Sequence, residues 1–225
     1  KERVAQTGYF RDINVETLPV PGTDDQVDLE YSVIEDNTGN FTASVGFSQT
    51  SGAILNLSVS QDNFLGSGDN VSFGVTNSDS VTEYKFSYLE PFYTVDGVSR
   101  GYNFFLRETN YEEEDISSFS TDEWGAGVTF GYPIDDYQRL SFGLSVEGVK
   151  VKAVSTTANE VKTFIAEEGD TYNNFIAKGS WSDNHLNRYT FPTSGYSHNA
   201  SIEIGVPGSD LTYHKEEYKF RVYQP

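Results

Sequence analysis

Along Asn40-Phe41-Thr42-Ala43-Ser44-Val45-Gly46-Phe47-Ser48, apolar and small polar side chains alternate with a period of two. Phe41, Ala43, Val45 and Phe47 share one parity, and Asn40, Thr42, Ser44, Gly46 and Ser48 the other. Successive strand side chains point to opposite faces, so the stretch predicts a strand with one apolar and one polar face. The alternation returns downstream at Leu55/Leu57/Val59, Val71/Phe73/Val75, Tyr84/Phe86/Tyr88, Tyr102/Phe104/Leu106, Trp124 to Tyr132 and Leu140 to Val146. Asn174–Ser182, Ser197–Val206 and Tyr213–Tyr223 complete a predicted antiparallel meander of ten strands. Beyond Gly148 the apolar parity moves to Val149 and Val151, which predicts a bulge or a strand rising out of an apolar layer.

Residues 1–36 have another plan. Lys1 to Thr7 reads as a helix end stopped by Gly8. Phe10–Val20 and Gln26–Glu35 read as strands joined across Pro21-Gly22-Thr23-Asp24-Asp25. A helix end and one hairpin bury too little core to stand alone, so residues 1–36 are expected to be part of a small α+β module. The expected boundary is Asp36 to Gly39.

The connections in the meander differ by end. Asn63–Gly68, Pro91–Gly97, Pro133–Tyr137 and Phe191–Gly195 are short turns carrying aromatics. The opposite end has small turns at Gln49–Gly52 and Asn77–Ser80 and long polar loops at Tyr111–Asp122 and Ala153–Asp170. Short turns on one side and long loops on the other are the asymmetry of an outer-membrane β-barrel. Phe64, Phe92, Tyr93, Tyr132 and Phe191 would then form an aromatic girdle. A soluble β-sandwich also alternates, and remains a competing expectation.

Composition narrows the chemistry. Cysteine is absent, which removes disulfides and thiolate metal sites. No start Met, signal peptide or apolar run of about 18 residues is visible, so no helical span is expected. A mean hydropathy of -0.49 is compatible with a barrel, whose inner face is polar. A net charge of -19 argues against nucleic acid as a partner. No nucleophile–base constellation is evident, and His185, His198 and His214 lack metal-site spacing, so neither an enzyme nor a cofactor or metal is expected. Glu112-Glu113-Glu114-Asp115 reads as a solvated acidic loop and Gly66-Ser67-Gly68 as a tight turn. Lys85, Arg107, Lys178, Lys219 and Arg221 lie opposite the main apolar parity, as groups facing a watery lumen.

Gln61-Asp62-Asn63-Phe64-Leu65-Gly66-Ser67-Gly68 resembles the turn after the second barrel strand in the BamA family of bacterial outer-membrane protein assembly factors. Glu90 to Ser99, Phe191 to Gly195 and Val206 to Asp210 resemble further turns of that family, in its order. Gly8-Tyr9-Phe10, Val20-Pro21-Gly22 and Asp25-Gln26-Val27-Asp28 resemble the last half of its final POTRA module. The resemblance implies a mainly β chain: a partial POTRA module over 1–36, then strands 1 to 10 of a sixteen-stranded transmembrane barrel over 37–225. The family's Val-Arg-Gly-Phe loop motif and its last barrel strand have no counterpart in this stretch.

The implied function is a non-enzymatic insertase in the bacterial outer membrane. An incoming client would pair its last strand with the exposed first strand, carried here by Asn40, Phe41, Thr42, Ala43, Ser44, Val45, Gly46, Phe47 and Ser48. Implied partners are unfolded outer-membrane proteins, lipoproteins of the BAM complex, periplasmic chaperones, and outer-membrane lipid with lipopolysaccharide. The alternative expectation is a passive porin or transport pore.

Overall fold

The computed structural model describes residues 9–22, 25–49, 51–111, 118–154, 156–188 and 191–224. The expected helix end over Lys1–Thr7 lies outside these residues. β1 (Phe10–Pro19) and β2 (Val27–Glu35) form a two-stranded antiparallel sheet of their own. Ile13, Val15 and Pro19 on β1 lie opposite Val33, Tyr31 and Val27, so one face of this hairpin is apolar. Tyr9 ties the hairpin to the turn at Asn63–Gly68, donating its hydroxyl hydrogen to the Gly68 carbonyl at 3.1 Å.

The next ten strands all belong to one antiparallel sheet, in sequence order. They are β3 (Gly39–Ser48), β4 (Gly52–Gln61), β5 (Asn70–Asn77), β6 (Val81–Glu90) and β7 (Ser99–Asn110). Then come β8 (Phe119–Pro133), β9 (Gln138–Ala153), β10 (Thr171–Asn184), β11 (Gly195–Gly205) and β12 (His214–Tyr223). Register carries the apolar parity from strand to strand: Val71, Tyr88, Tyr102, Val128, Leu144, Ala177 and Ile204 form one cross-sheet row. Cross-strand pairs of this kind are the unit of sheet stability.

β8 and β9 pair from Phe119↔Ala153 to Pro133↔Arg139 with no shift, so no bulge accompanies the parity change after Gly148. The strand leaves the apolar layer there instead. Lys150 and Lys152 take over the apolar parity, and Lys152 pairs with Asp122 at 2.6 Å. The stretch Ala153–Asp170, expected to be loop, holds a helix, α1 (Asn159–Glu168). Val161, Phe164 and Ile165 supply its short apolar stripe, and Phe164 stacks on Tyr172 with ring centres 5.8 Å apart.

Among the described residues no second sheet covers this one. Phe73, Phe86, Phe104, Phe142 and Leu144 all stay exposed on the same face. Among the described residues only three apolar side chains are buried: Ile13, Tyr172 and Ile176. A soluble fold would hide such a belt, so the sandwich expectation fails. The belt needs an apolar solvent.

Candidate functional site

The candidate strand β3 is an edge. It pairs with β4 over ten residues, Gly39↔Gln61 to Ser48↔Gly52, and with no other strand among the described residues. The Asp62 N–H donates to the directly opposite Thr38 carbonyl at 3.0 Å, which fixes the phase of the ladder. Antiparallel partners exchange hydrogen bonds at every second residue. The main-chain groups of Asn40, Thr42, Ser44, Gly46 and Ser48 therefore face β4. Those of Phe41, Ala43, Val45 and Phe47 face away from the sheet. The nine candidate residues thus divide into five that hold the strand and four that offer an open ladder.

The open side is bare. Val45 and Phe47 are each 81% exposed, against 47% for the interior Phe73. Edge strands are commonly guarded by charge or proline. β3 reads GNFTASVGFS and carries neither guard.

Behind β3 the inward parity is small and polar. The Ser72 and Ser87 hydroxyls bond at 2.7 Å. Further round, Arg107 Nε donates to Glu83 Oε1 at 2.7 Å, and Lys85 meets the same carboxylate at 2.6 Å. Lys178 approaches Glu203 at 3.5 Å and Lys219 approaches Glu217 at 2.5 Å. Parity places these cations on the inward face, with Glu83 beside Lys85 and Glu217 beside Lys219 on the same strand, but the partners of Arg107 and Lys178 emerge only from the register. At the long-loop end, Tyr213 donates to Glu203 at 3.0 Å. Burial and that carboxylate push its hydroxyl up to about 12.

The short-turn end carries the expected aromatics. Phe64, Phe92, Tyr93, Tyr132 and Phe191 are all exposed. Sequence reasoning missed the ion pair among them: Arg100 reaches Glu90 with Nε at 2.9 Å and Nη2 at 3.0 Å, and its guanidinium lies 3.9 Å from the Tyr93 ring centre. Gly66 and Gly68, at φ of 80° and 83°, take the left-handed backbone of a tight turn. His185 and His198 lie in one aromatic cluster at this end, and His214 starts β12. Glu112 to Asp115 lie outside the described residues.

Residues 63–225 match the Omp85 superfamily domain, and the chain belongs to that superfamily. Within it, the chain is similar to the outer membrane protein assembly factor BamA of Neisseria meningitidis, at 32% identity over 95% of its own length. BamA of Buchnera aphidicola is 27% identical over 64% of the chain. In three dimensions it is similar to the crystal structure of Haemophilus ducreyi BamA lacking POTRA domains 1–3. That likeness has a TM-score of 0.84 and 30% identity, and covers 98% of this chain and 44% of that one. The chain spans 28% of the length of the Neisseria relative.

Proposed function

We propose that the protein to which this chain contributes resides in the bacterial outer membrane. There it folds and inserts outer-membrane proteins without chemistry of its own, by templating a client strand on β3. Similarity to proteins named outer membrane protein assembly factor supports the task. The single observation that carries the mechanism is the uncharged, proline-free edge of β3 with an open main-chain ladder. Strand addition draws affinity from main-chain hydrogen bonds and leaves side chains to set register. Inside a bilayer each unsatisfied main-chain group costs several kcal/mol, so such an edge has a strong demand for a partner.

On this reading the apolar parity faces lipid, the polar parity faces the lumen, and the β1–β2 hairpin belongs to a POTRA module on the periplasmic side. Unfolded outer-membrane proteins are the clients, delivered by periplasmic chaperones and assisted by the lipoproteins of a BAM complex. Lipid and lipopolysaccharide form the surroundings.

Two proline variants of the full-length protein test the mechanism. Ala43→Pro deletes an N–H on the open side and spares every bond to β4, whereas Ser44→Pro deletes a bond inside the sheet. Ala43→Pro should leave a folded barrel on a heat-modifiability gel yet stall client insertion in reconstituted vesicles, while Ala43→Val supports insertion. Normal insertion by a folded Ala43→Pro variant would refute templating through this edge.

A further inference from the structure

The outward parity of β9 to β12 is not a uniform apolar wall. Gly179 and Ala200 leave a groove of about 600 Å³, walled by Leu140, Trp181, Ile202 and Tyr218, with Glu216 at its rim beside Ile202. Register places these residues side by side: Leu140 opposite Trp181, Trp181 opposite Ala200, Gly179 opposite Ile202 and Ala200 opposite Tyr218. Towards the short-turn end the groove runs into His198. Its ring lies 6.1 Å from that of Trp181 and 4.7 Å from that of Phe220, stacked on both, and its Nδ1 lies 2.6 Å from the Tyr218 hydroxyl. With that hydroxyl donating to Nδ1, the neutral imidazole keeps its proton on Nε2 as a free donor.

A second imidazole adjoins it. His185 stacks on Tyr137 at 4.3 Å and lies 4.9 Å from Tyr196, with Nε2 3.0 Å from the Asp183 carboxylate. Lys215, Lys219 and Arg221 of β12 stand on the inward parity, while the short-turn end also carries the exposed Arg188, whose Nη2 donates to Thr193 Oγ1 at 3.3 Å.

A mainly apolar trough ending in hydrogen-bond donors has the polarity of an amphiphile. We propose that this groove is a specific site for one glycerophospholipid of the leaflet at the short-turn end. An acyl chain lies over Gly179 and Ala200, and the phosphodiester accepts from His198. Asp183 and Glu216 share the outward parity of the groove, and a headgroup that carries its own cation, as phosphatidylethanolamine does, complements these carboxylates. Aromatic rings at the same level suit that ammonium through cation–π attraction. The inference rests on the membrane-spanning reading of the sheet. It adds to that reading a place where lipid is held rather than exchanged.

The test uses the full-length protein in phosphatidylethanolamine bilayers containing a trace of the same lipid with a photoactivatable acyl chain. Adducts are mapped by peptide mass spectrometry. Label on the peptides around Gly179 to Trp181 and Ala200 to Ile202 should exceed that on Phe73 and Phe86 several-fold. Gly179→Leu with Ala200→Leu should bring it down to the Phe73 level. A Cβ at Gly179 meets only Ile202 Cγ2, at 3.5 Å, so the filled groove is compatible with the fold. His198→Phe keeps the ring stack, removes the donor and should also lower the label, as should replacing the probe by a diacylglycerol with the same chain. Equal label at Phe73 and in the groove, or label unchanged by the filled groove, by His198→Phe or by loss of the headgroup, would overturn the proposal. Label on neither region would instead refute the assignment of this face to lipid.

Discussion

Phe73→Lys is the sharpest probe of which face meets lipid. Phe73 stands midway along β5 on the apolar parity, opposite Val59 on one side and Phe86 on the other. A lysine there places an ammonium in hydrocarbon, at about 2–4 kcal/mol near the bilayer midplane. Losing the cross-strand Phe86 contact adds about 0.5–1 kcal/mol. Its neighbour Ser72 points inward, where its hydroxyl bonds to Ser87 at 2.7 Å. Ser72→Lys loses that bond, worth about 0.5–1.5 kcal/mol, and leaves the new charge in water. The two lysines should therefore differ by about 2–3 kcal/mol, roughly 30- to 140-fold in the folding equilibrium. Urea unfolding of the full-length barrel in lipid vesicles measures this, with Phe73→Leu as the packing control. Equal destabilisation by the two lysines would refute the assignment of faces.

The glycines of β8 and the two ends of the sheet give two further tests. A Cβ at Gly125 would fall 2.3 Å from Phe105 Cε1, so Gly125→Val should cost about 1–3 kcal/mol, and Phe105→Ala in the same chain should recover part of it in the same unfolding assay. A Cys at Ser118 should react with an impermeant thiol reagent on intact cells while a Cys at Ser67 stays protected. The reverse pattern would invert the topology.

The ten strands are legible because a period of two survives every composition bias in this chain, and Trp124 to Tyr132 and Leu140 to Val146 show it without a break. What parity cannot convey is the direction of the main chain. Side-chain alternation says that Ala43 and Ser44 lie on different faces. It does not say which of their N–H groups points at β4. That phase is set by the β3–β4 turn, where Gly52 takes a φ of 60°, and it decides that Ala43 rather than Ser44 offers the open donor.

Long-range pairing is hidden for a related reason. Parity puts Arg107 on the inward face, but Glu83 lies 24 positions away and becomes its partner only through the β6–β7 register. α1 escapes a reading by period because Val161, Phe164 and Ile165 form one short stripe in a polar stretch, and packing on Tyr172 accompanies it. The His198 ring cluster draws on β10, β11 and β12, so no local motif announces it.

The most direct test of templating is a disulfide scan between β3 and the last strand of a stalled client, using single Cys residues from Gly39 to Ser48 in the full-length protein. Templating predicts crosslinks in one fixed register, with Phe41, Ala43, Val45 and Phe47 each choosing client positions of a single parity, because a slip of one residue turns every side chain to the other face. Crosslinks without register, or equally abundant at the interior stretch Phe142–Val146, would contradict it and leave β3 an ordinary barrel strand.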